Sequence, residues 1–243
     1  MKYDCEHPWA PDCCDHPRSC HRPNFTKVLD HGYVELIEHW GSDERIIESA
    51  RMSTNKGFEG WDKDSKLLAY LWKNKHHTPF EMAGMTIEVQ APIFVFREWH
   101  RHRTQSYNEL SARYTEMPNL YYLPSGARVR AGKQSTKNKQ GSQEGFTDVE
   151  GGDIILDLRA SYADSRDVYE ALLAKGVARE LARLVLPVAQ YSRMRASANL
   201  RNWLQFLTLR MDEHAQWEIR QYANVVGELV KDKFPRTWGL FIE

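Results

Sequence analysis

Beyond residue 20 the 243-residue chain has no cysteine; Cys5, Cys13, Cys14 and Cys20 are all of its thiols. Catalysis by an enzyme thiolate therefore has no candidate in the body of the chain. Net charge is missing too, since 33 Lys and Arg balance 33 Asp and Glu. That balance speaks against a dedicated nucleic-acid binder, whose phosphate contacts need a basic excess. No apolar run approaches the ~20 residues of a membrane-spanning helix, and no basic-then-apolar leader opens the chain. The expectation is a soluble cytoplasmic protein with neither membrane nor nucleic-acid partners, long enough to bury a sizeable core.

What is present begins with aromatic residues, 12% of the chain, which suit either a planar ligand or an ordinary core. Residues 1–24 form a Cys- and His-rich N-terminal extension, with His7, His16 and His21 interleaved among the four cysteines. Thiolates and imidazoles at short spacing are zinc ligands, but no CxxC pair occurs. A free-thiol appendage is the preferred reading, and no metal site is assigned.

From residue 25 the chain reads as one catalytic domain ending at 243. Lys27–Glu38 is strand-like around Val34 and Leu36. Ser42 caps a short helix with Asp43 and Glu44 in its first turn and Ile46, Ile47 and Ala50 on its apolar side. A second helix is expected from Asp64 or Ser65, carrying Leu67, Leu68, Leu71 and Trp72. Thr78 and Pro79 read as the cap and first residue of another turn. Met85–Gln90 alternates as a half-buried strand, and Pro92 opens a helix that runs to a basic end at Arg101-His102-Arg103. The polar stretch 126–152 reads as a mobile surface insertion. Helices are then expected over Asp153–Lys175, with Gly176 beyond the end, and over Val177–Leu186. A strand follows at Val188–Ser197. Asn199 caps a helix to Met211, and Asp212 caps another ending at Phe234 before Pro235.

Chemistry concentrates in Arg101-His102-Arg103-Thr104-Gln105-Ser106-Tyr107-Asn108-Glu109-Leu110-Ser111-Ala112-Arg113-Tyr114. Guanidinium forks suit phosphate and pyrophosphate, Ser106 and Ser111 add donors, and Asn108 and Glu109 can read the donors of a base or sugar. An internal ion-pair network among Arg101, Arg103, Glu98 and Glu109 accounts for the same composition. Arg210 and His214 stand four residues apart across the expected break at Asp212. A guanidinium near a helix N-terminus would lack dipole support and seek an anionic ligand.

Arg-His-Arg followed after seven residues by Ser111, with Asn108-Glu109 and Arg113-Tyr114 in order, resembles the signature of the flavin-dependent thymidylate synthases, the ThyX family. The resemblance extends to Asp30-His31-Gly32-Tyr33-Val34-Glu35-Leu36, His76-His77-Thr78-Pro79-Phe80-Glu81, Ala91-Pro92-Ile93-Phe94-Val95, Ala182-Arg183-Leu184-Val185-Leu186-Pro187, Asn199-Leu200-Arg201, and Leu209 to Ile219. It implies an α+β single domain with a small antiparallel sheet and long helices, assembled as a homotetramer with active sites at subunit interfaces. It also implies conversion of dUMP to dTMP, with carbon from methylenetetrahydrofolate and hydride from NADPH through FAD. By the family's pattern Thr78, Arg101, His102, Arg103, Glu109, Asn199, Arg201 and Gln205 would contact FAD. Glu98, Arg101, Glu109, Ser111, Ala112, Arg113, Arg183 and Arg210 would surround dUMP, and His76 would lie near flavin and folate. Arg210 would be catalytic, favouring ionisation at N3 of the uracil. Three departures stand out: Glu98 where some members have Gln, Ala112 for a frequent Gly, and Gln205 for Asn. Ser111 has no His/Asp arrangement to activate it as a nucleophile and reads as a nucleotide donor. The rival from another class is a non-catalytic nucleotide- or RNA-binding protein that uses the arginines and aromatics for stacking.

Overall fold

A computed structural model describes residues 24–243, so the Cys- and His-rich segment and its suggested zinc lie outside the described residues. Strand β1 (Phe25–Val28) turns through Leu29, at φ +60°, into β2 (Gly32–Trp40). The single strand expected over Lys27–Glu38 is thus two. Gly41, at φ +72°, ends β2, and a Cβ there would lie 2.8 Å from Ala83 Cα. Helix α1 (Asp43–Arg51) starts where the sequence places it, with Ser42 Oγ accepting from Arg45 N at 3.3 Å. Helix α2 (Trp61–Lys73) starts a turn earlier than expected. The misleading signal is Asp64. Its carboxylate works from inside the helix, accepting from Glu59 N at 2.7 Å and from Arg51.

Thr78 is the first residue of a short 3-10 segment, Thr78–Met82, rather than its cap, and Pro79 is the second. Strand β3 (Gly84–Pro92) runs directly into α3 (Ile93–Trp99). That helix stops before the basic run, leaving Arg101–Arg103 in turns, and β4 (Ser106–Glu109) follows. The polar stretch 126–152 has structure of its own. It holds α4 (Gly126–Arg130), a hairpin of β5 (Lys133–Gln134) and β6 (Ser142–Gln143) in register Lys133 to Gln143, and the start of α5 (Asp148–Ala174). Its apolar signal is faint because burial there falls on Val129 and Gly151, 3.7 Å apart at the closest atoms once a Cβ is placed on the glycine. A capping box of Thr147 and Glu150 moves the start of α5 to Asp148, and Gly176, at φ +78°, stands beyond its end.

Helix α6 (Arg179–Ala182) with a 3-10 turn at Arg183–Val185 replaces the longer helix expected there. Strand β7 (Tyr191–Asn199) feeds α7 (Leu200–Arg210), and Asn199 caps that helix as expected, its Oδ1 accepting from Asn202 N at 3.0 Å. A break does follow, but α8 (Trp217–Lys233) begins beyond Gln216. Asp212 spends its carboxylate on a local turn, accepting from His214 N at 2.8 Å. Helix α9 (Pro235–Ile242) is an element the sequence reading lacks. There Pro235 opens a helix instead of only closing one.

Five strands form an antiparallel sheet in the order β1-β2-β3-β7-β4, and the chain is α+β. Contacts divide it into two units interleaved along the sequence. Of the described residues, the first takes 24–33, Gln90–Phe96 and Glu109–Arg193; the second takes Val34–Val89, Arg97–Asn108 and Met194–Glu243. In the first, Tyr122, Ala189 and Tyr191 pack with Phe94, Leu120 and Tyr162. There Gln190, fully buried, donates from Nε2 to the carbonyls of Pro118 (2.7 Å) and Leu120 (3.0 Å), tying that loop to the start of β7.

The second unit is built on aromatics. Trp99 stacks on Phe206 with centroids 4.6 Å apart, Tyr222 meets Trp99 edge-on, and Trp203 donates from Nε1 to Met85 O at 3.0 Å. Each of these fully buried rings contributes about 1.5–3 kcal/mol of apolar burial. Gly84 is required at the join of β3 and β7, because a Cβ there would lie 2.5 Å from Ala198 O.

Asp43 ties α1 to α9 by accepting from Arg236 N (2.8 Å), Thr237 N (3.1 Å) and Thr237 Oγ1 (2.6 Å). Burial pushes its carboxyl up, against these three donors that hold it down. Asp43→Ala is expected to cost about 1–2 kcal/mol, the upper range for loss of a helix cap, because buried donors are orphaned with it. The urea midpoint checks this, and a loss under about 0.5 kcal/mol would show that the cap is redundant.

Candidate active site

The Arg-His-Arg run occupies a loop pinned at four points. Tyr107 donates its hydroxyl to Trp99 O (3.2 Å) and His102 O (2.8 Å), Trp99 Nε1 donates to Gln105 Oε1 (3.1 Å), and Asn202 Nδ2 donates to Thr104 O (3.0 Å). Burial pushes the Tyr107 phenol up, so it stays a donor. The loop alternates: Arg101 and Arg103 are exposed, whereas His102 is buried edge-on to Phe206 at 4.9 Å.

Arg210 reaches this loop from the last turn of α7. Its Nε donates to His102 Nε2 (2.9 Å), Nη1 to Glu98 Oε2 (2.8 Å) and Nη2 to Glu98 O (3.0 Å). Two expectations are corrected here. Arg210 sits at a helix C-terminus, where the dipole favours a cation. And Glu98 pairs with Arg210 rather than with the basic run, for Arg101 and Arg103 make no ion pair among the described residues. A guanidinium keeps its protons, so the imidazole must offer a lone pair at Nε2 and carry its hydrogen on Nδ1. Burial first, then the Arg210 charge, lowers the His102 pKa to about 4.

Along α7, Arg201 and Gln205 stand one turn apart on the rim of a cavity of about 420 Å³, with His77 and Thr208. Trp72, Phe80, Leu204 and Leu209 form its apolar wall. Arg201 is oriented by Glu81 at 2.7 Å, Thr78 is exposed beside His77, and His76 meets Tyr70 edge-on at 5.6 Å. Asn199 spends its side chain on the α7 cap.

The other expected residues belong to the first unit. Glu109 accepts from Ser192 Oγ at 2.7 Å, which takes it out of the imagined ion-pair network. Ser111 Oγ accepts from Arg113 N at 3.3 Å, leaving its own hydrogen to give, and Ala112 is buried. Arg113 pairs with Glu180 at 3.0 Å, whereas Arg183 is exposed and without an ion pair among the described residues. Sequence reasoning assigns His102 to the flavin and Glu98 and Arg210 to dUMP, and misses that Arg210 touches both. It also misses Tyr107, Gln105 and Trp72, whose only sequence signal is aromatic or amide character near the motif.

Residues 35–236 match the profile of the thymidylate synthase complementing protein family. A Thermus thermophilus protein named flavin-dependent thymidylate synthase is 42% identical over 221 residues, covering 91% of this chain and 79% of that one. The chain belongs to the flavin-dependent thymidylate synthase family. A second flavin-dependent thymidylate synthase, from Thermosipho africanus, is 41% identical over 89% of this chain and 93% of its own. Among solved structures, the UMP/dUMP methylase PolB of Streptomyces cacaoi bound with 5-Br dUMP superposes with a TM-score of 0.79 at 34% identity, covering 87% of this chain and 94% of PolB. Membership makes this flavin-dependent thymidylate synthase relative an enzyme of the methyltransferase class and sets aside the non-catalytic binder. The donor set fits a flavin nucleotide: an apolar and aromatic wall meets a planar ring system, and Arg201 and Gln205 offer donors to its polar groups.

Proposed function

We propose that the enzyme methylates dUMP reductively to dTMP, with methylenetetrahydrofolate as carbon donor and NADPH as hydride source through FAD. The observation that carries this reading is the contact cluster of Glu98, His102 and Arg210 in a chain of this family. Three of Arg210's five N–H groups are spent on the chain. One on Nη1 and one on Nη2 remain to meet the uracil edge, and they favour the N3-ionised ring whose C5 is the better nucleophile.

Glu98 pairs with that guanidinium and contacts the nucleotide. Arg101, Glu109, Ser111, Ala112, Arg113 and Arg183 supply the remaining dUMP contacts, with Ser111 and the arginines on phosphate. Thr78, Arg101, His102, Arg103, Glu109, Asn199, Arg201 and Gln205 would hold FAD, which when bound relays the reducing hydride. With every cysteine at or before residue 20, activation of C5 through Arg210 replaces attack by an enzyme thiolate. The active form is a homotetramer with active sites at subunit interfaces, and Val149, Leu156 and Val168, exposed along α5, suit burial by another subunit. A cytoplasmic setting fits this chemistry, and no described helix is long and apolar enough to cross a membrane.

The protein should absorb in the visible as a flavoprotein. It should form dTMP only when dUMP, methylenetetrahydrofolate and NADPH are all supplied. A flavin-loaded enzyme that makes no dTMP from this mixture overturns the reading; running UMP beside dUMP defines the sugar accepted.

A further inference from the structure

The Arg210 guanidinium is held at three corners, and the holds differ in kind. Glu98 Oε2 belongs to a side chain 43% exposed, and a single-contact ion pair at that exposure is worth little. Glu98 O is fixed at the end of α3 but meets only the outer nitrogen Nη2. His102 Nε2 meets Nε, the nitrogen nearest the aliphatic stem, at 2.9 Å. The imidazole itself is held by the Phe206 ring and by its own backbone, since His102 O accepts from Tyr107 and His102 N donates to Trp99 O at 3.0 Å. We propose that His102 is a positioning residue whose lone pair at Nε2 sets the plane of the Arg210 guanidinium, so that the two unspent N–H groups are presented to the nucleotide in one orientation.

The chemistry of the contact supports a positioning role over a stabilising one. A carboxylate at position 102 would bind the guanidinium more strongly, but it would take up the positive charge that the uracil edge must meet. Glu98 already pairs with Arg210, so a neutral acceptor at 102 directs the guanidinium without adding a second counter-charge. The assignment rests on the reading of Arg210 as the group that contacts the uracil.

The test is a double-mutant cycle read by titration calorimetry of dUMP into the flavin-loaded protein, together with kcat/KM. His102→Phe removes the acceptor and keeps the ring shape. It is expected to weaken dUMP binding about 10-fold and to lower kcat/KM by at least that factor, the scale of one hydrogen bond to a charged group. In the Arg210→Ala background the same change should alter dUMP affinity less than about 2-fold, because the partner it orients is gone. His102→Gln, which can place an amide oxygen where Nε2 stands, should recover most of the loss. His102→Asn, too short to reach Nε, should not, and it serves in place of the phenylalanine variant if that one fails to fold. Equal losses in both backgrounds, or a glutamine variant no better than asparagine, would overturn the inference about His102. Full dTMP formation by Arg210→Ala would instead overturn the reading on which it rests.

Discussion

Arg210→Ala is expected to lower dTMP formation at least about 100-fold while the protein stays folded and keeps its flavin. Loss of one preorganised donor at a site of developing charge costs other enzymes about 10²–10³ in rate, and alanine removes both unspent N–H groups at once. The fold should tolerate the change. Arg210 lies at the end of α7, where the helix is closed by Met211 N donating to Leu207 O at 2.9 Å, and Glu98 is exposed enough to be rehydrated. Lysine keeps the charge without the planar fork and is expected to recover little of the activity. Circular dichroism and the flavin spectrum establish integrity. Turnover within 3-fold of wild type would remove Arg210 from the reaction.

The second large effect is on stability. His102 is buried beside a permanent cation and has a pKa of about 4 in the folded chain, against about 6.5 for a free histidine. Between those values the unfolded chain carries a proton at this position that the native chain refuses. Stability therefore rises with pH across the window, is fully recovered above about 6.5 and is fully diminished below about 4. The difference integrates to on the order of 3 kcal/mol at the acid end. Carboxylates titrate in the same range, so the comparison that isolates His102 is wild type against His102→Gln, by urea unfolding from pH 7 to 4. The gap between the two should shift steadily in favour of the glutamine variant as pH falls. Parallel curves would mean that His102 takes up its proton without cost.

What could be read in the sequence follows from how far apart the cooperating atoms are along the chain. The α1 start was legible because the Ser42 cap serves Arg45 N within one turn. The Asn199 cap was legible for the same reason, its acceptor serving Asn202 N three residues on. Asp64 and Asp212 misled because a carboxylate that caps a helix and one that closes a neighbouring turn look alike until the backbone is placed. Helix α9 went unread because Pro235 is as compatible with the first position of a helix as with the end of one, and the carboxylate that receives its first N–H groups is Asp43, near the other end of the chain. The motif order gave the family. It did not give the Arg210–His102 contact, which joins residues 108 positions apart. Nor did it show that α3 ends at Trp99 and leaves the basic run to a loop held by Tyr107 and Asn202.

The interleaving of the two units has a consequence for how the polypeptide emerges from the ribosome. The chain passes between them after Tyr33, Val89, Phe96, Asn108 and Arg193, so no single cut in the gene delivers either one as a contiguous product. Every segment of the first has been synthesised once Arg193 is added. The second must wait for Met194–Glu243, which brings Trp203, Phe206 and Tyr222 to residues such as Trp99 that were translated long before. Until then those aromatic surfaces have no partner, and that interval is when the nascent enzyme is most exposed to aggregation. A premature stop before Trp203 would therefore remove more than a tail, because it would strand the segments of the second unit already made.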